Sequence, residues 1–219
     1  MINLELLARF YPTLLYGAWV SLQIAAFSCT IGLVLGTILG LASCARNKLL
    51  ANAVLLYTTV VRGIPMLIQI MFVAYVLPET GINISLFWGA ILAIGLNSSA
   101  YVCHIIRSGI LSVDQGQIEA ARVLGMSNFQ ITRFIILPQA FRVVLPALGN
   151  EFVTLVKDSS LASTVGVVEL TKTGSVIRSL TLDVVTVFAA VGAIYLAMTL
   201  ALSAVITLIE KWMGRHAVS

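Results

Sequence analysis

Residues 10–45 read FYPTLLYGAWVSLQIAAFSCTIGLVLGTILGLASCA, and none of them carries a formal charge. As a helix this stretch exceeds the roughly 20 apolar residues that cross a bilayer. Two further stretches behave alike: Glu79 and Arg107 bracket an uncharged segment, and so do Asp183 and Glu210. The whole chain follows suit. Of 219 residues, 59% are hydrophobic and 10% charged, and mean hydropathy is +1.03. Soluble domains carry about 25% charged residues, so a water-soluble globular fold and a disordered chain are both excluded. Lipid leaves backbone groups no partner outside the chain, so helices do the spanning.

The remaining charges divide the chain. Lys48 to Glu79 is apolar apart from Arg62 in its middle, and Arg107 to Arg142 is rich in charge. A shorter apolar run follows, interrupted by Glu151 and closed by Lys157 and Asp158. These boundaries predict an all-α membrane protein with about five transmembrane helices, at about 11–43, 50–77, 84–112, 138–157 and 184–211. Residues 1–219 then form one transmembrane domain, with a cytoplasmic loop at about 113–137. Pro78-Glu79-Thr80-Gly81 is turn chemistry. With the N-terminus outside, the inner segments hold Arg46, Lys48, Arg107, Arg122, Arg133, Arg142, Lys211 and Arg215, and the outer ones hold Arg9, Lys157, Lys172 and Arg178. Eight against four favours N-terminus out and C-terminus in.

Other classes find little support. The net charge is +4 and the basic residues are dispersed, without the stripe that nucleic-acid binding uses. Cys29, Cys44 and Cys103 lack metal-ligand spacing and read as small buried hydrophobes. His104 and His216 are isolated, and no metal site is expected. No basic leader with a cleavage site opens the chain. The phosphate-binding pattern G-x-x-x-x-G-K-[ST] is absent, as are HExxH, CxxC and GxSxG, so the chain is not expected to act as an enzyme alone. A secondary carrier or channel is a competing class, but it calls for an inverted repeat or a pore motif, and neither is found.

The loop at 113–137 holds the most specific pattern: Glu119-Ala120-Ala121, three residues, Gly125, nine residues, then Ile135-Ile136-Leu137-Pro138. It resembles the EAA loop of bacterial ABC import permeases. Glu119, Ala120, Ala121 and Arg122 are good helix formers, and Gly125 permits a sharp bend or a close approach. Pro138 is expected to start the next spanning helix. Three further segments look like those of polar amino acid permeases: Arg62-Gly63-Ile64-Pro65-Met66-Leu67-Ile68-Gln69, Asn97-Ser98-Ser99-Ala100-Tyr101 and Lys157-Asp158-Ser159-Ser160-Leu161. The resemblance implies the type I ABC importer permease fold in the inner membrane of a bacterium. It also implies a second permease chain, identical or related, two ABC ATPase subunits and an extracytoplasmic substrate-binding protein. Glu119, Ala120, Ala121 and Gly125 would couple to the ATPase, which would carry ATP and Mg. This chain would carry no cofactor of its own.

Charged and polar residues within the spans are the substrate-site candidates, since a charge there is expensive. Arg62 offers a bidentate clamp for an α-carboxylate, or else snorkels outward. Glu151 and Asp158 are two helical turns apart on one face, and a cationic side chain between them would relieve their repulsion. The other reading pairs Asp158 with Lys172 or Arg178. Asn97, Ser98 and Ser99 either bind an α-amino group or join helices. The expectation is a permease for polar, basic amino acids, with glutamine or another neutral polar amino acid as the alternative. Gly32, Gly36 and Gly40 recur every four residues, a spacing that brings helices close.

Overall fold

The computed structural model describes residues 2–45 and 47–215, so His216 lies outside the described residues and Arg46 within a gap. The elements are helical throughout. Helix α1 runs Leu4–Ser43, and the Asn3 side chain caps it by accepting the Leu6 N–H. Its 40 residues span about 60 Å, more than a hydrocarbon core needs. The glycine face of α1 lies against α4, Leu86–Leu111. A Cβ on Gly32 would sit 2.6 Å from Ser98 Oγ, and one on Gly36 would sit 2.5 Å from Val102 Cβ. These two backbones therefore touch.

Between α1 and α4 the chain does not make the single span expected at 50–77. It makes α2, Lys48–Gly63, and α3, Met66–Glu79, bent by 96°. The cause is local. Pro65 lacks the N–H that would continue α2, and it pushes Ile64 into extended backbone (ψ 129°). The Gln69 side chain then secures the break by donating from Nε2 to the carbonyls of Val61 at 2.7 Å and Ile64 at 2.9 Å. Among the described residues, four helices are long and apolar enough to cross a membrane, and there are five if the bent pair is taken as one span.

After α4, Asp114 caps the short helix α5, Gln115–Val123, by accepting the N–H groups of Gly116 and Gln117. Gly125 follows at φ +79°, the left-handed region that glycine enters without strain. It provides the bend rather than a close approach, because a Cβ there would meet nothing within 4 Å. Helix α6, Asn128–Val165, corrects a second expectation: Pro138 does not begin it. Ser127 and Gln130 form a reciprocal capping box that starts the helix at Asn128, ten residues earlier. Pro138 is accommodated by a wide turn, in which the Leu137 N–H reaches back five residues to the Thr132 carbonyl. Leu77 and Pro78 repeat the device in α3, with the Leu77 N–H on Phe72 O. The last turns of α6, Ser159–Val165, tighten to 3₁₀ and stop at Gly166, φ +98°.

Helix α7, Leu170–Thr181, was not anticipated. Its cap, Glu169, is fully buried and draws on three helices. The carboxylate accepts from the Thr171 and Lys172 N–H groups, from Ser21 Oγ on α1 at 3.1 Å, and from Tyr195 Oη at 2.7 Å. Tyr195 lies on α8, Val184–Arg215. Asp183 caps α8 by accepting the Thr186 N–H at 2.9 Å, which holds its carboxyl below the usual range. Ile24, Ile70, Ile94, Leu155 and Val156 are fully buried where α1, α3, α4 and α6 meet.

Candidate substrate cavity and coupling surface

The break between α2 and α3 opens into a cavity of about 320 Å³. Arg62, on the last turn of α2, lines it, as do Ile64, Pro65 and Met66 of the break. Asn97 and Tyr101 enter from α4, and Glu151, Thr154 and Asp158 from α6. Arg62, Asn97, Glu151 and Asp158, more than 90 positions apart at the extremes of the sequence, thus share one chamber. The Arg62 guanidinium lies 5.0 Å from the centre of the Tyr101 ring, a cation–π contact that holds it along the wall. Ser98 stands behind the chamber and donates from Oγ to Glu151 Oε1 at 2.7 Å, fixing that carboxylate. Asn97 is buried with its amide at the lining. Ser99 is turned away: Tyr57 Oη lies 2.7 Å from its Oγ, and that Oγ donates to Leu96 O.

Chemically the chamber is dipolar. One wall presents a guanidinium, and the other presents two carboxylates two turns apart. It fits a zwitterion with a donor-bearing side chain. Among the described residues, no group of three His, Cys, Asp or Glu side chains is placed to hold a metal. Tyr101 and Thr154 were not anticipated. Their spacing marks them, since Tyr101 falls four residues after Asn97 and Thr154 three after Glu151, on the same helix faces.

The second surface is the short helix α5. Ile118 and Ala121 face inward and pack with Val113 and Ile131. Glu119 and Ala120 face outward, beside Val123 and Leu124, which are 88% and 81% exposed. Large apolar side chains so exposed at a helix end call for a covering surface. The α5 helix is also tied to α6, since Gln139 Nε2 donates to Gln117 Oε1 at 2.6 Å. One continuous helix therefore joins this surface to Glu151 and Asp158.

Fold and site together define a multi-spanning membrane protein with a charged internal cavity and an exposed loop helix. Residues 32–215 match the model of the family described as binding-protein-dependent transport system inner membrane component, and the chain belongs to that family. A nopaline transport system permease protein of Agrobacterium fabrum is 38% identical over 98% of this chain and 93% of its own length. A glutamine transport system permease protein of Escherichia coli is 35% identical over 92% of this chain and 93% of its own. An arginine transport system permease protein of Bacillus subtilis is 35% identical over 91% and 92%. Among solved structures, an amino acid ABC transporter crystallised with histidines superposes with a TM-score of 0.92 at 36% identity, covering 96% of this chain and 99% of that one. The fold is thus the type I ABC importer permease fold.

Proposed function

We propose that this chain is the permease subunit of an ATP-driven importer for polar amino acids, and that its cavity favours solutes with a cationic side chain. The observation that carries the reading is the meeting of Arg62, Asn97, Glu151 and Asp158 in one chamber. Arg62 takes the α-carboxylate, Asn97 the α-amino group, and Glu151 with Asp158 the distal cation. Ser98 is a positioning residue, acting through Glu151. Relatives named for arginine and for nopaline agree with a charged solute. The relative named for glutamine supports a second reading, a neutral polar side chain, with equal weight.

In this reading a separate ATPase, carrying ATP and Mg, docks on α5 through Glu119, Ala120, Val123 and Leu124, while Ala121, expected on that face, instead holds the helix from its buried side. Gly125 makes the bend that lets the helix project. Two ATPase subunits, a second permease chain and an extracytoplasmic binding protein complete the complex. The N-terminus lies outside, and α5 faces the cytoplasm of a bacterium across its inner membrane.

The experiment is reconstitution with the ATPase and binding protein, reading uptake and ATP hydrolysis against a panel of amino acids. A charge-assisted contact contributes about 1.5–3 kcal/mol. Glu151→Gln should therefore weaken uptake of arginine or lysine by about 10- to 100-fold and affect glutamine much less. Equal losses for basic and neutral solutes would make the carboxylates structural and remove the case for a cationic side chain.

A further inference from the structure

A second cavity lies on the same seam between α2 and α4. It encloses about 210 Å³, and its polar lining is Ser43, Asn52, Thr58, Cys103, His104 and Arg107. The two linings follow one another along the same helices. Asn97, Tyr101 and His104 fall at i, i+4 and i+7 on one face of α4, and Arg62 and Thr58 one turn apart on α2. Arg107 is six residues beyond Tyr101, about 9 Å along the helix. A solute leaving the first chamber along this seam meets the second one next.

The two chambers differ in charge. The first holds one guanidinium and two carboxylates. Among the described residues that line the second, none is acidic, and the polar groups are a guanidinium, an imidazole, an amide, hydroxyls and a thiol. The guanidinium is held in place, because Arg107 Nη1 donates to Ser43 O at the end of α1 at 2.7 Å. The rest of its fork is left to donate elsewhere. Such a lining attracts an oxyanion and repels a cationic side chain.

We infer that the Arg107–His104 chamber is a carboxylate-binding station on the exit path, where the departing amino acid binds by its carboxylate. This rests on the importer reading above. It requires the solute to leave carboxylate first, handed from Arg62 to Arg107, while its side chain still lies toward Glu151 and Asp158. Asn52 supplies an amide beside the carboxylate. The same lining suits a lipid phosphate, so the test distinguishes that source.

The test uses the complete reconstituted complex in phosphatidylcholine nanodiscs, with Cys29, Cys44 and Cys103 replaced by alanine and Ala51→Cys, on the lining of the second chamber, introduced. Maleimide labelling of that cysteine is timed without nucleotide, at millimolar arginine, glutamine or agmatine, the last being arginine without its carboxylate. The amino acid that stimulates ATP hydrolysis should slow labelling about fivefold or more, and agmatine should not. Arg107→Gln should abolish the protection, and Arg107→Lys should retain it. Because Arg107 also braces Ser43, His104→Gln serves as a second variant and should weaken the protection. Folding of each variant is checked by co-elution with the ATPase. Stimulation of ATP hydrolysis without protection overturns the station alone, and absence of both overturns the importer reading with it. Equal protection by agmatine overturns it as well, as does protection that appears only when phosphatidylglycerol is added.

Discussion

Gln69 shows how much one side chain can hold. It is half-buried and satisfies two carbonyls that the Ile64–Pro65 break leaves without helical partners. Gln69→Leu keeps the volume and removes both donors. Leaving such groups unpaired costs about 1–3 kcal/mol, so the variant should unfold at lower temperature in detergent and lose uptake. A stability equal to the parent chain would mean that water replaces the amide. Gly125 predicts a different outcome. At φ +79° a bulky residue strains only the bend, by about 1–2 kcal/mol, and it would project beside the exposed Val123 and Leu124. Gly125→Trp should insert and fold normally yet abolish uptake and ATPase docking; normal uptake would refute the coupling role of α5. Arg62, Asn97, Glu151 and Asp158 were legible in the sequence because a polar group within an apolar run is conspicuous. Glu169 was not, because its Ser21 partner is 148 positions away and its own segment is mixed in character.

At the scale of elements, α1 and α4 are held together by the absence of side chains. A Cβ on Gly36 would lie 2.5 Å from Val102 Cβ and 2.7 Å from the Ser99 carbonyl, and the carbonyl cannot move without its helix. Gly36→Val should therefore cost about 1–3 kcal/mol through overpacking. Gly63, with nothing within 4 Å of a Cβ, should tolerate alanine. Thermal denaturation of the two variants side by side checks the contrast. The spans themselves were readable from charge-free runs, but their interruptions were read past. Pro65 sits inside a recognisable motif, and its physical meaning there is a break. Ser127-x-x-Gln130 is a plain capping signal, and it outweighs Pro138 as the start of α6. The wide turns at Leu77 and Leu137 explain why: a proline can sit inside a helix when the turn before it is loosened to a five-residue bond.

For the whole molecule, the testable quantity is orientation. Asn83 lies in the turn between α3 and α4, and Asn128 begins α6. In a variant free of native cysteines, an impermeant maleimide applied from outside should label Asn83→Cys and spare Asn128→Cys. The opposite pattern would reverse the proposed topology and put α5 out of reach of a cytoplasmic ATPase. The proposed coupling has one line of contact to follow. Gln117 and Gln139 tie α5 to α6, and the same α6 carries Glu151 and Asp158, so under the proposed function a push on the loop would reach the cavity at its acidic wall.

The Glu169 carboxylate carries a further consequence, for biosynthesis. Its partners come from the first helix, from its own segment and from Tyr195 near the end of the chain. A growing polypeptide presents them in that order. Until Tyr195 leaves the ribosome, Glu169 lacks its shortest hydrogen bond to a side chain, and a carboxylate so placed resists entry into lipid. The contact of α1 with α7, made through Ser21, therefore lacks its Tyr195 brace during elongation. The final docking step waits for α8, and a chain truncated before Tyr195 would reach the membrane but remain open to proteolysis.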